Sequence, residues 1–233
     1  MTKQRKHPLS AERFGRLLFI TLILSAIYSL VRIFVSQPSV EGGWGYVHTQ
    51  SDYVLMFLQC LLGIVVLAIP SAASRKLKFA IPNFIYIMYY LFLYCAIFLG
   101  EVMNFYYVIP KWDVILHFFS GAMLGALGFI LVSQLNDSDA IRVSLSPFFV
   151  ALFAFCFALT CGAVWEIYEF AFDGLMGLNM QKFITASGEV LVGHHALHDT
   201  MTDLIVDAAA ALMISVIGYV RLKAGKYPAS PKE

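Results

Sequence analysis

Six apolar runs, residues 17–36, 53–73, 83–101, 113–134, 147–172 and 199–221, dominate the chain. Each is about 20 residues or longer, and at 1.5 Å of rise per residue that length crosses a hydrocarbon layer of about 30 Å as a helix. Lipid offers no partner to backbone N–H and C=O groups, so spans of this kind are helical. The expected fold is all-α, a polytopic transmembrane bundle of six helices. The composition agrees: 13% of residues are charged, against about 25% in an ordinary soluble domain.

Positive charge is spread unevenly between the runs. With the amino terminus in the cytoplasm, the inner segments hold Lys3, Arg5, Lys6, Arg13, Arg16, Arg75, Lys76, Lys78, Arg142, Arg221, Lys223, Lys226 and Lys232. The outer segments hold only Lys111 and Lys182, and Arg32 lies inside the first run near its outer end. Lys and Arg accumulate on the cytoplasmic side, so both termini are expected in the cytoplasm. Residues 1–233 then read as a single integral-membrane domain: a basic cytoplasmic tail at 1–16, scaffold helices 1–3 within 17–112, site-bearing helices 4–6 within 113–221, and a second cytoplasmic tail at 222–233. The basic start is similar to a signal-peptide n-region. The apolar run behind it is too long and lacks a small-x-small cleavage site, so the first helix is expected to be retained. A net charge of +1 gives no reason to expect a nucleic-acid partner. Membrane lipids are the expected surroundings, and nothing in the sequence marks an oligomeric state. Cys60, Cys95, Cys156 and Cys161 fall inside apolar runs, where a thiol acts as a small hydrophobe.

The last run carries Asp199, Asp203 and Asp207 at i, i+4 and i+8, on one helix face. One carboxylate inside a membrane helix is unfavourable by roughly 2.5–3.5 kcal/mol on insertion scales, so three require partners. The fourth run supplies Asp113 and, one turn deeper, His117. Ser120, Gly121, Gly125 and Gly128 follow, a small-residue face that admits a close neighbour. Asp113 also suits a helix cap after Pro110-Lys111-Trp112. The fifth run starts at Pro147, a favoured first-turn residue, and ends with Glu166, Glu169 and Asp173 on one stripe. The orientation puts all three acidic groups at the outer face, with Asp203 and Asp207 about 6 and 12 Å deeper than Asp199.

The connection 174–198 is the longest between runs, a length often used for lids. Residues 182–192, with Ser187-Gly188 central, suit a short hairpin. If the last helix already covers residue 194, His194 and His198 share a face and make a peripheral metal position; otherwise they face solvent. Arg32 either snorkels outward or serves as a counter-ion to the carboxylates.

Seven acids gathered beside one imidazole cannot all be ionised without cations. Either some are neutral and form a proton relay, or a bound divalent metal ion supplies the charge. An oxygen-rich site with one imidazole suits Mg²⁺, Mn²⁺ or Ca²⁺, and Zn²⁺ if further histidines join. The Glu-x-x-His pairs of di-iron bundles are absent. The metal reading makes Asp113, His117, Glu166, Glu169, Asp199 and Asp203 the ligand candidates, and His117 and Glu166 the acid-base candidates. Asp173, Asp207, His194, His198 and Arg32 stand as further candidates. A purely structural cluster, with carboxylates bonded to serine, tyrosine and tryptophan donors, is the alternative.

The runs Trp112-Asp113-x3-His117-x3-Gly121, Trp165-Glu166-x2-Glu169, Gln181 and Asp199-Thr200-x2-Asp203 resemble the YjdF-type family of uncharacterised bacterial inner-membrane proteins. The resemblance covers residues 112–211, implies a bacterial inner-membrane location, and adds Gln181 to the further candidate site residues. More distantly, the order His, Glu, Asp on successive helices is similar to VanZ-like proteins, which implies action at the outer membrane face on lipid-linked or cell-wall precursors. The arginine those proteins place between the glutamate and aspartate motifs has no counterpart here. The expectation is an outward-facing metal site between helices 4, 5 and 6, belonging to a metal-dependent hydrolase or transferase acting on a lipid-linked small molecule. An ion- or proton-coupled transporter is the second reading, although the chain shows neither an inverted repeat nor a broken helix pair. A non-catalytic membrane partner protein is the third.

Overall fold

A computed structural model of the chain describes residues 11–36, 48–77, 80–136, 145–185 and 188–225. The terminal tails, the Pro38–Gly45 stretch, Lys78, Arg142 and Ser187 lie outside the described residues. Six helices among these are long and apolar enough to cross a membrane, and no β-strand occurs. The protein is a multi-pass helical membrane protein. The chain divides into two compact units, Met1–Trp112 and Asp113–Glu233.

In the first unit, α1 is Ala11–Val35 and α2 is Gln50–Leu67. A capping box starts α2: Thr49 Oγ1 accepts from the Asp52 N–H, and Asp52 Oδ2 accepts from the Thr49 N–H at 2.7 Å. The run expected as one helix over 53–73 is interrupted at Ala68 and resumes as α3, Ile69–Leu77. Pro70 is the physical reason, because it has no N–H to give the Val66 carbonyl. That carbonyl is taken instead by the Tyr89 hydroxyl at 2.7 Å. Tyr89 lies in α4 (Asn83–Leu93), which passes into a π-helical stretch, Tyr94–Val102, closed by Met103 N–H to Phe98 O at 2.9 Å. Asn104, at φ 68°, breaks the chain there before the single turn α5, Phe105–Val108. Leu18, Leu22, Ala26, Cys60, Leu93 and Ile97 form this unit's core. The opposite faces of α1 expose Leu17, Leu24 and Phe34, as lipid-facing surfaces do.

The second unit consists of α6 (Trp112–Asn136), α7 (Pro147–Met176) and α8 (His198–Lys223). Ser146 caps α7 by accepting from the Phe149 N–H, with Pro147 behind it, and Gly177 at φ 64° ends it. Small residues set the spacing of α6. A Cβ on Gly128 would stand 2.8 Å from the Ala154 Cα of α7, and one on Gly121 would stand 3.0 Å from the Asp207 carbonyl of α8. Phe129, Val132, Val150, Ala151 and Ala154 fill the end of the unit away from the 177–197 connection. Within that connection Ile184 bridges antiparallel to Val190, and Leu191 N–H reaches Phe183 O at 2.8 Å. This is the short hairpin expected over 182–192.

Candidate metal centre

The acids of α8 define three levels, and α6 and α7 answer each of them. At the innermost level Asp207, 1% exposed, lies under α7 where Gly162 has no side chain; a Cβ there would overlap the Asp207 carboxylate. His117 Nδ1 meets Asp207 Oδ2 at 3.2 Å. Ser120 Oγ, which donates to the His117 carbonyl, lies 3.5 Å from Asp207 Oδ1. A carboxylate only accepts, so Nδ1 carries the proton and Nε2 is turned toward the other acids.

At the middle level His117 Nε2 faces three carboxylates. Asp113 Oδ1 is 3.8 Å from Nε2, Glu166 Oε1 3.9 Å and Asp203 Oδ2 3.8 Å. Each separation is too long for a hydrogen bond. Asp203 Oδ2 and both Glu166 oxygens are buried with no hydrogen-bond partner; the Thr200 hydroxyl borders Glu166 without closing a bond of normal geometry. Buried, unpaired carboxylate oxygens are costly. Asp113, His117 and Asp203 each offer a ligand atom within 4.8 Å of the others. Two ligands about 2.1 Å from a tetrahedral ion stand about 3.4 Å apart, so the carboxylates have to move inward to close on an ion, by about half an ångström for the oxygens at 3.8–3.9 Å from Nε2 and further for the widest pair.

At the level nearest the connection, Asp113 Oδ2 and Asp199 share the Lys182 ammonium, which lies 3.1 and 3.3 Å from the two Asp199 oxygens. Burial alone pushes the Lys182 ammonium below its ordinary value, but Asp113 and Asp199 outweigh it and hold it above. The backbone delivers it there: both Asp173 oxygens accept N–H groups of the connection, from Met180 at 2.7 Å and Gln181 at 2.9 Å. Gln181 Nε2 donates to Thr200 Oγ1 at 2.7 Å. Glu169 stands beside the cluster and accepts from Trp165 Nε1 at 2.9 Å.

Thus Asp113, His117, Glu166, Asp199, Asp203 and Asp207 converge, and Glu169 is held one turn from Glu166 by tryptophan. Three candidates, Asp173, His194 and His198, take other places in this unit. Asp173 accepts a backbone N–H on each oxygen and so anchors the connection. His194 and His198 do not share a face, because α8 starts only at His198, and both are exposed. Arg32 belongs to the first unit, with its guanidinium 4.9 Å over the Tyr53 ring. Lys182 entered the sequence reading only as an outer-loop charge. Its one signal was being a rare cation in the connection next to seven acids.

An uncharacterised protein of Thermotoga maritima is 30% identical over 131 residues, 55% of this chain. The chain spans 58% of that relative's length. No solved structure matches the chain. Residues 16–224, which include both units and every group of the cluster, match the family described as "Predicted membrane protein (DUF2238)", and the chain belongs to that family.

Proposed function

We propose that this protein binds one divalent metal ion between α6, α7 and α8, through His117 Nε2, Asp113, Asp203 and Glu166. The observation that carries the reading is the imidazole nitrogen facing three carboxylate oxygens at 3.8–3.9 Å with no bond to any of them, while Asp203 and Glu166 oxygens lie buried and unpaired. Asp207 on Nδ1 completes the carboxylate–histidine–metal arrangement that orients a ligating imidazole. One nitrogen among hard oxygens fits Mn²⁺ best, with Mg²⁺ and Ca²⁺ as oxygen-seeking competitors, and no second histidine among the described residues joins to favour Zn²⁺. With His117 used as a ligand, Glu166 becomes the acid-base group, since its second oxygen stays free for a reacting molecule.

The charge bias of the loops supports both termini in the cytoplasm and the metal near the outer face, and the likeness to YjdF-type proteins supports a bacterial inner-membrane location. The likeness to VanZ-like proteins supports a lipid-linked or cell-envelope substrate for a hydrolytic or transfer reaction. The transporter reading draws less support: below Asp207 the buried residues among those described include Ala158, Ala210 and Ala211 and the core of Phe129, Val132, Val150, Ala151 and Ala154, with Ser215 the buried polar side chain and no further buried acid. Metal analysis and titration calorimetry of the full-length protein test the proposal. It expects one divalent ion per chain in the wild type and none in His117→Gln. A folded wild-type protein that is metal-free and gives no heat with Mn²⁺, Zn²⁺, Mg²⁺ or Ca²⁺ would overturn it.

A further inference from the structure

Asp113 turns its two oxygens in different directions. Oδ1 faces His117 Nε2, whereas Oδ2 binds the Lys182 ammonium. The same ammonium contacts both oxygens of Asp199, so it rests among three carboxylate oxygens from two helices. A carboxylate shared between neighbouring cations is how two-metal centres hold ions about 3.5–4 Å apart. We infer that Lys182 Nζ occupies the second cation position of a carboxylate-bridged pair, and that a hard divalent cation takes this position when the ammonium is withdrawn.

The inference rests on the ion proposed at His117. Its ligand class follows from the donors: Asp113 Oδ2 and Asp199 offer only oxygen, which selects Mg²⁺, Mn²⁺ or Ca²⁺ over softer metals. Glu166, 5% exposed with neither oxygen hydrogen-bonded and one of them 3.9 Å from His117 Nε2, is the sign of a missing ligand at the His117 ion on which the pair rests, and the ammonium itself marks the second position as one that holds a cation. The lysine is also placed rather than loosely tethered. Asp173 clamps the N–H groups of residues 180 and 181, and Lys182 itself takes a left-handed backbone, φ 49°, that a non-glycine residue adopts only when held. Those clamps lie upstream of the side chain. The ammonium therefore leaves by rotation of its flexible stem, with the backbone anchors intact, and the centre changes from one ion plus ammonium to two ions.

Manganese stoichiometry and electron paramagnetic resonance of the full-length chain in detergent micelles test this. The wild type is expected to hold one Mn²⁺ with an isolated-ion spectrum, and Lys182→Met two Mn²⁺ with spin–spin broadening. Adding Asp199→Asn to Lys182→Met returns the count to one. A folded Lys182→Met protein with one Mn²⁺, or a wild type with two, overturns the inference and leaves the His117 site standing. No ion in the wild type overturns the His117 site and, with it, this inference, whatever Lys182→Met holds. If Lys182→Met does not fold, acetylation of Lys182 in the wild type, mapped by mass spectrometry, replaces it. Acetylation that rises several-fold with Mn²⁺ supports displacement of the ammonium, and acetylation indifferent to Mn²⁺ overturns it.

Discussion

Asp207 does not touch the proposed ion; it acts by fixing the tautomer and tilt of His117. Replacing it with asparagine keeps the volume but removes the charge that favours the Nδ1 proton. Loss of such an outer partner weakens a metal site by about 10–100-fold, and calorimetry of Asp207→Asn is expected to fall in that range while His117→Gln abolishes binding. An unchanged affinity would make Asp207 a bystander. Lys182 carries a pH prediction. Its folded-state value is raised above the ordinary 10.5 by Asp113 and Asp199 against the opposing effect of burial. A raised value means that its stabilisation is fully present below that ordinary value and fades only as pH climbs through the higher folded one. Thermal melts between pH 7 and 10 are therefore expected to show no loss attributable to this residue. A fall in melting temperature over that window that disappears in Lys182→Met would contradict the assignment.

Glycines decide how closely the helices of the second unit approach, and two in α7 make a matched pair. A methyl group on Gly162 would overlap the Asp207 carboxylate, whereas one on Gly174 meets nothing within 4 Å. Gly162→Ala is expected to cost about 1–3 kcal/mol through overpacking and to impair ion binding. Gly174→Ala is expected to be neutral or stabilising by up to about 1 kcal/mol, from helix propensity alone. Circular-dichroism melts with parallel metal titrations check both, and equal behaviour of the two variants would refute this packing. At this scale the sequence was readable wherever a period exists. The i, i+4, i+8 spacing of Asp199, Asp203 and Asp207 defines a face, and Gly121 and Gly125 mark where α6 can meet it. Pro70 marked a break that the apolar run concealed. The landing place of Lys182 was not readable, because no periodicity governs a long connection; two N–H bonds to Asp173 determine it.

Across the whole chain, six runs of membrane-spanning length made the helical fold legible, since lipid leaves the backbone no other choice. The proposed side of each loop rests on charge alone, through thirteen basic residues assigned to inner segments against two to outer ones. Reporter fusions at residues 1 and 233 are expected to report cytoplasmic termini, and a fusion in the 177–197 connection the opposite side; a cytoplasmic connection would invert the proposed orientation. The chemistry was less legible than the fold, because the residue types were visible but their separations were not. The 3.8–3.9 Å distances around His117 Nε2 leave it without a hydrogen bond to any of the three carboxylates, and an ion between them would close that gap. Anomalous diffraction from crystals grown with Mn²⁺ tests that distinction most directly. The predicted result is a manganese peak within bonding distance of His117 Nε2, Asp113 and Asp203. Well-ordered density with no peak there, and carboxylates closed onto the imidazole by direct hydrogen bonds, would contradict it.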